Sequence, residues 1–337
     1  MAYTTINKPS EYFNTKLYTG NGSTNAITGV GHQPDLVWIK RRDAATSNEV
    51  YDAVRTATYR IKTDATSAQD SDPSFLTAFD SDGFTLGSHG GINNSGSTFV
   101  SWNWKANGSG VSNTDGSITS TVSASTTSGF SIVKWTSGGS TQVGHGLGVS
   151  PNLVIMKSTS SADNWVVGSS ALGWTNRLRL NTTDASSSSG AFQNTDPTSS
   201  IFYENYSASS CDKIAYCFAE KKGFSKFMGW SGNGSTDGTF LYTGFKPALF
   251  IYKVVSGTTG GWGMLDNKRD TFNPVDNTLV ANSSNAEADD HDVDFLSNGL
   301  KIRSAGGNIN MSGATYIGMA FAENPLVGTN GVPACAR

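Results

Sequence analysis

The residues able to do chemistry are few and scattered. Gly144-His145-Gly146-Leu147-Gly148 has the look of a phosphate-cradling loop, but no Lys-Ser/Thr follows it and no helical pattern supplies an anion-binding N-terminus. Gly29-Val30-Gly31-His32 stands in the same place before Pro34, so both strings read as tight turns leading into a strand. Asp290, Asp292 and Asp294 have the first three spacings of an EF-hand, yet position six is Phe295 and position twelve Lys301. That departs from the calcium-loop requirement and leaves a solvated acidic loop, with a loose surface calcium site near Asp290 to Asp294 as the alternative. The histidines His32, His89, His145 and His291 are spread along the chain with no nucleophile in register, so no triad can be assembled. Nor does any pair of carboxylates stand out for glycoside cleavage. Cys211, Cys217 and Cys335 have neither disulfide-framework nor metal-ligand spacing and read as incidental thiols. The residues point away from an enzyme and toward no cofactor and no metal.

Aromatic side chains are the remaining candidates. Trp135, Trp165, Trp174, Trp230 and Trp262 flank Gly/Ser-rich turns. An indole turned outward would make a stacking platform for a sugar ring; an indole turned inward would be core.

The elements that must hold these residues repeat. Pro34-Asp35-Leu36-Val37-Trp38-Ile39-Lys40 recurs as Pro151-Asn152-Leu153-Val154-Ile155-Met156-Lys157 and as Pro247-Ala248-Leu249-Phe250-Ile251-Tyr252-Lys253. A closing landmark follows at nearly constant distance: Ser101-Trp102-Asn103-Trp104, Ala215-Tyr216-Cys217-Phe218 and Gly318-Met319-Ala320-Phe321. Two landmarks in constant spacing mark three units, each large enough to bury a core of its own. The motif strands are apolar at consecutive positions, as expected where both faces are covered. The lysines Lys40, Lys157 and Lys253 are expected to carry their ammonium heads to water at the sheet rim. Lys40-Arg41-Arg42 then reads as a solvated strand end.

Runs of four to seven apolar residues bounded by Gly, Asn, Ser and Asp predict an all-β protein. The expected architecture is three tandem antiparallel β-sandwich modules of jelly-roll or lectin-like type. Asn-Gly at positions 21, 107, 233 and 298 predicts hairpins. The best helical candidate is 49–61. The expected organisation is an N-terminal arm over 1–11, module one over 12–106, a Ser/Thr/Gly-rich linker over 107–128, module two over 129–222, module three over 223–327 and a tail over 328–337. The linker, with one short strand expected at Ile118 to Val122, should let unit one hinge, while Glu220-Lys221-Lys222-Gly223 joins units two and three tightly.

The 337 residues include only 15% charged residues and carry a net charge of −3, so no global pull toward nucleic acid or an anionic membrane is expected. No apolar run reaches membrane-span length, and the N-terminus shows no signal peptide. The sequons at Asn21, Asn181, Asn205 and Asn233 are those that an Asn- and Ser-rich chain produces by chance. Folding in a cytoplasm sits oddly with a composition like that of extracellular adhesive proteins; a particle assembled inside a cell and released by lysis reconciles them.

The strings "YFNTKLYTGNGSTNAITGVGHQPDLVWIK", "GFSIVKWTSGG" with "VGHGLGVSPNLVIMK", "AYCFAEKKGFSKFMGWSGNGSTDGTFLYTGFKP" and "FLSNGLKIRS" with "YIGMAFAENP" together resemble a tandem-repeat family of virion structural proteins. Its members belong to tailed bacteriophages, especially marine and cyanobacterial ones. The resemblance spans about Tyr12 to Pro325. It implies a β-rich, tail-fibre-like or otherwise structural component of the virion surface, and it transfers no catalytic residue. The expectation is a non-enzymatic adhesin touching host surface polysaccharide through module loops, in contact with other virion proteins and assembled as a homo-oligomer, a trimer if fibre-like. The alternative is a capsid decoration protein that stabilises the head.

Overall fold

The computed structural model describes residues 3–207 and 209–333. Cys335 lies outside the described residues. The chain is all-β, built from antiparallel sheets. Three of these sheets share one strand order. The opening strands are Phe13–Thr19, Phe130–Ser137 and Ser225–Ser231. Each pairs with a return strand, Thr98–Trp104, Cys211–Phe218 or Thr315–Pro325. Each return strand pairs in turn with a motif strand, Leu36–Arg41, Leu153–Ser158 or Phe245–Ser256. Beyond the motif strand lie Glu49–Asp52, Val166–Ser169 and Gly263–Asp266. The most distant strand in sequence thus lies beside the first, which puts the motif strand in the interior of every sheet.

Both faces of the motif strands are covered, as the unbroken apolar runs require. The second cover is not what tandem modules predict. Side chains alternate across a strand, so successive residues face opposite sides. Val37 and Ile39 join a core made within unit one, Val154 and Met156 one within unit two, Phe250 and Tyr252 one within unit three. Leu36, Trp38, Leu153, Ile155, Leu249 and Ile251 all enter a single common core. Three sheets therefore pack against one another around one centre.

The closing landmarks meet at that centre. The rings of Trp104 and Phe321 are 5.5 Å apart, those of Phe218 and Phe321 5.8 Å, and those of Trp104 and Phe218 6.2 Å. All three pairs are edge-on, the favourable aromatic geometry. One residue from the same place in each return strand makes this triangle, so the units are related by an approximate three-fold within one chain. A void of about 20 Å³ lies at this centre, lined by Leu36, Trp104, Ile155, Tyr216 and Met319 among others.

Several expectations need correction. The stretch 107–128 is not a free linker: Val111–Asn113 and Ser120–Ser125 are strands of the second sheet. Unit one has no hinge, because its sheet contributes to the common core. The segment 49–61 forms no helix but the strand Glu49–Asp52 and the start of Tyr59–Lys62. Its β-branched and aromatic residues suit a pleated, buried surface, and Val50 pairs with Ile61. Asn-Gly at 21, 107 and 233 does not close hairpins. The first two turn the chain between sheets and the third between the two ends of the third sheet, with Gly22, Gly108 and Gly234 at positive φ. Only the 298 site lies in a hairpin, Ala288–Leu296 with Gly299–Ile302.

The first residues are also not a free arm. Ile6 is buried in the common core, Tyr3 donates to the Gly244 carbonyl at 2.9 Å, and Asn7 accepts from the Thr329 amide at 2.6 Å. Tyr3 to Asn7 are therefore tied to the body, and Thr329 is tied to them. Among the described residues, no helix is long and apolar enough to cross a membrane.

Candidate functional site

The repeat motif builds the seams between units. Lys40, Lys157 and Lys253 do not reach water; each is fully buried. Lys40 donates to the carbonyls of Thr46 and, from unit three, Ser284. Lys157 donates to Ser158 at 2.8 Å and, from unit one, to Thr66 at 3.2 Å. Lys253 donates to Val254 and, from unit two, to Thr183, both at 3.1 Å. The lysines so link one to three, two to one and three to two, a closed cycle. Burial lowers each ammonium to a pKa of about 8, opposed by Asp64, by Asp163 and by Asp184 respectively. A buried charge must be met by hydrogen bonds, and the carbonyls of a neighbouring unit provide them. Pro34, Pro151 and Pro247 are each followed by the strand that carries this lysine, with Leu36, Leu153 and Leu249 in the common core.

Backbone bonds repeat the cycle. The amides of Thr46, Asp163 and Gly260 donate to the same carbonyls, Ser284, Thr66 and Thr183. The amides of Gln69, Ser186 and Glu287 donate to Thr159, Val255 and Arg42. Arg42 is also bound to Glu287 by two contacts, at 2.7 and 2.9 Å, so Lys40-Arg41-Arg42 is a seam element and not a solvated strand end.

Two of the three seams carry a buried ion pair. Asp52 meets Arg55 at 2.5 Å, and the Tyr216 hydroxyl of unit two donates to Asp52 at 2.8 Å. Asp266 meets Arg269 at 2.6 Å, and the Trp102 indole of unit one donates to Asp266 at 3.1 Å. In the third, the corresponding residues along the repeat are Ser169, Leu172 and Met319.

The five candidate tryptophans are all buried, Trp230 the least at 8% exposed. Trp165 donates to the Lys62 carbonyl of unit one and Trp262 to the Arg179 carbonyl of unit two, so both are seam residues. Asn48 takes the corresponding place in unit one, donating to the Val280 and Ser283 carbonyls of unit three. Trp135 donates to Ser137, which with Lys213 holds the buried Glu204. Trp174 lies edge-on to Phe192, and Trp230 stacks on Tyr316. None offers an outward stacking face, because the apolar area of each is worth more inside these cores than in water. The exposed aromatics among the described residues are instead Tyr59, Phe240, Tyr242 and Phe272, the last 84% exposed. Their place next to turns was visible in the sequence, but their orientation was not.

The glycine-rich turns are structural. Asp82 accepts from the amides of Gly29 at 3.0 Å and Gly31 at 2.6 Å, so a carboxylate of the chain occupies the place where a phosphate would be held. His145 Nδ1 accepts from the Leu147 amide within its own turn. Cys211 and Cys217 are buried free thiols.

The acidic stretch does not converge as an EF-hand would. Asp294 pairs with Arg303 and Asp290 with His291. Asp289 and Asp292 meet Asp276, with their oxygens within 4.8 Å of one another. Burial and the like charges of Asp270, Asp289 and Asp292 raise the pKa of Asp276. His291, at φ +68°, is the left-handed residue that sets Asp290 and Asp292 apart. Beside it, a pocket of about 200 Å³ opens between units two and three, lined by Thr183, Tyr252, Thr278, Asn282, Asp290 and His291 among others.

Residues 8–325 match the model of a family described as a domain of unknown function (DUF7483), and the chain belongs to that family. No curated protein and no solved structure matches.

Proposed function

We propose that the chain is a non-enzymatic structural protein of a phage particle surface, a tail fibre or appendage adhesin that meets host surface glycans through its loops. The observation that carries this reading is the fusion of three equivalent sheets around one core. Such a body holds its loops on a stiff frame, and binding residues normally sit on loops positioned by a rigid scaffold. The repeat resemblance supports the setting. Within this reading the units are three antiparallel β-sandwich modules, with separate smaller sheets in units one and two and a single continuous eight-stranded sheet in unit three. The partners are other virion proteins and a host polysaccharide, with the chains assembled as a homo-oligomer, a trimer in a fibre-like setting.

The burial of all five tryptophans favours a second reading, a capsid decoration protein whose role is to stabilise the head. Immunogold electron microscopy of purified phage, with antibody to this protein, separates the two. Gold at the tail or its fibres is the expected result. Gold over the head would replace the adhesin with the decoration protein. Unlabelled virions from a lysate that contains the protein would overturn both.

A further inference from the structure

The approximate three-fold supplies an internal control for every position. The residue five places past the motif proline is Ile39 in unit one, Met156 in unit two and Tyr252 in unit three. The first two are fully buried in apolar cores. Tyr252 is 1% exposed, yet its hydroxyl has no well-formed hydrogen-bond partner, although the Thr278 hydroxyl lies near it. Room for its ring exists only because position 263 is glycine; a Cβ there would lie 2.2 Å from the ring. His291, 9% exposed, likewise has no hydrogen bond at Nδ1, although Asp290 lies 3.1 Å away. Burial lowers the pKa of His291 against the pull of Asp290 and Asp292, so the imidazole is neutral near pH 7. Buried polar groups are almost always satisfied, and two orphans lining one pocket call for a ligand or water.

We propose that the pocket between units two and three is a binding site for a neutral saccharide ring. Its lining fits that class and disfavours others. It includes no lysine or arginine, so it offers nothing to a phosphate or sulfate. Its one carboxylate, Asp290, is too little for a divalent cation. Amides and hydroxyls, from Asn282, Asn308, Thr183 and Thr278, both donate and accept, as adjacent sugar hydroxyls do. Asp290 supplies a charged acceptor, the Tyr252 hydroxyl and the imidazole supply the unpaired positions, and the side of the tyrosine ring supplies an apolar edge. This inference rests on the glycan-adhesin reading and gives it a location other than the tryptophans.

The test uses the full chain and a panel of soluble neutral sugars: the methyl glycosides of glucose, galactose, mannose, fucose and N-acetylglucosamine. Saturation-transfer NMR should show at least one of them bound. Tyr252→Phe should weaken that binding by about threefold to tenfold, the loss of one hydrogen bond. Asp290→Asn should weaken it by about tenfold or more, because a charged acceptor is lost. Both variants should keep the wild-type thermal midpoint or exceed it. Absence of transfer from every sugar, or binding that survives both substitutions, would overturn the site and leave water as its only occupant. The result is independent of immunogold location: sugar binding without virion labelling would retain the pocket and reject the particle, and labelled fibres without binding would do the reverse.

Discussion

The two charged seams and the neutral one solve the same packing problem with different chemistry. At the first two, an aspartate, an arginine and a hydrogen-bonding aromatic are buried together: Asp52, Arg55 and Tyr216, then Asp266, Arg269 and Trp102. At the third, Ser169, Leu172 and Met319 stand at those places, and Leu172 packs against the common core. All three positions differ together. A buried pair is stable only when complete, and an apolar replacement of the whole set can be equally stable. A partial replacement strands a charge. The comparison teaches that the seam requires matched occupants and not charge as such.

The strongest way to break this comparison is to remove one acid. Asp52→Ala should cost about 3–5 kcal/mol, because it leaves the buried Arg55 without an acid, and Asp266→Ala somewhat less, because Arg269 keeps Glu287 at 3.0 Å. Ser169→Ala at the same place should cost less than about 1 kcal/mol. Urea denaturation of the three variants checks this, and equal losses would show that the seams do not differ as described.

Next comes a transplant into the neutral seam. Leu172→Arg alone should destabilise by about 1–2 kcal/mol, because a half-buried apolar contact with the common core is replaced by a charge without a partner. Adding Ser169→Asp should restore part of it, with a coupling of about 1–3 kcal/mol in a double-mutant cycle. Additive losses would mean that the third seam has no room for the pair.

Removing only the donor is milder. Tyr216→Phe and Trp102→Phe each take a hydrogen bond from a carboxylate and should cost about 1.5–3 kcal/mol, the second with added cavity loss. Met319→Leu, the counterpart in the neutral seam, should cost less than about 1.5 kcal/mol. Thermal denaturation orders the three.

The smallest effect at each site, taken per unit of pH, is one the seams share. The folded-state pKa of Lys40, Lys157 and Lys253 is about 8, against an ordinary value of 10.5. Between those limits the unfolded chain binds more protons than the folded one, so stability should rise with pH, by up to about 1 kcal/mol per pH unit for each lysine. Buried tyrosines act in the opposite sense. Burial raises Tyr51 and Tyr216 well above 10.0, so above that pH the unfolded chain loses protons the folded chain keeps, and stability should fall. Denaturation across pH 7.5 to 11 should therefore trace a rise and then a fall, with a shallower rise in Lys157→Met. A flat curve below pH 10 would show that the lysines keep ordinary values.

Much of the architecture was legible. The repeated Pro-x-Leu string located the three motif strands, and the closing aromatics located their partners, because strand periodicity and burial write themselves into local pattern. The doubly covered nature of Leu36-Val37-Trp38-Ile39 was also legible. What covered the second face was not. A lysine ending an apolar run reads as an exit to water, since nothing local reveals that Ser284 lies above Lys40. Tyr252 and His291 were invisible as a pair because they belong to strands far apart in sequence.

By itself, then, the sequence determined an all-β chain in three units, since hydrophobic period, turn residues and repeat spacing act over a few residues. The tertiary structure alone decided that the units share a core, that the tryptophans and lysines face inward, and that one seam holds a pocket. Those outcomes depend on which sheet face meets which, a matter of long-range shape and desolvation that no short segment encodes.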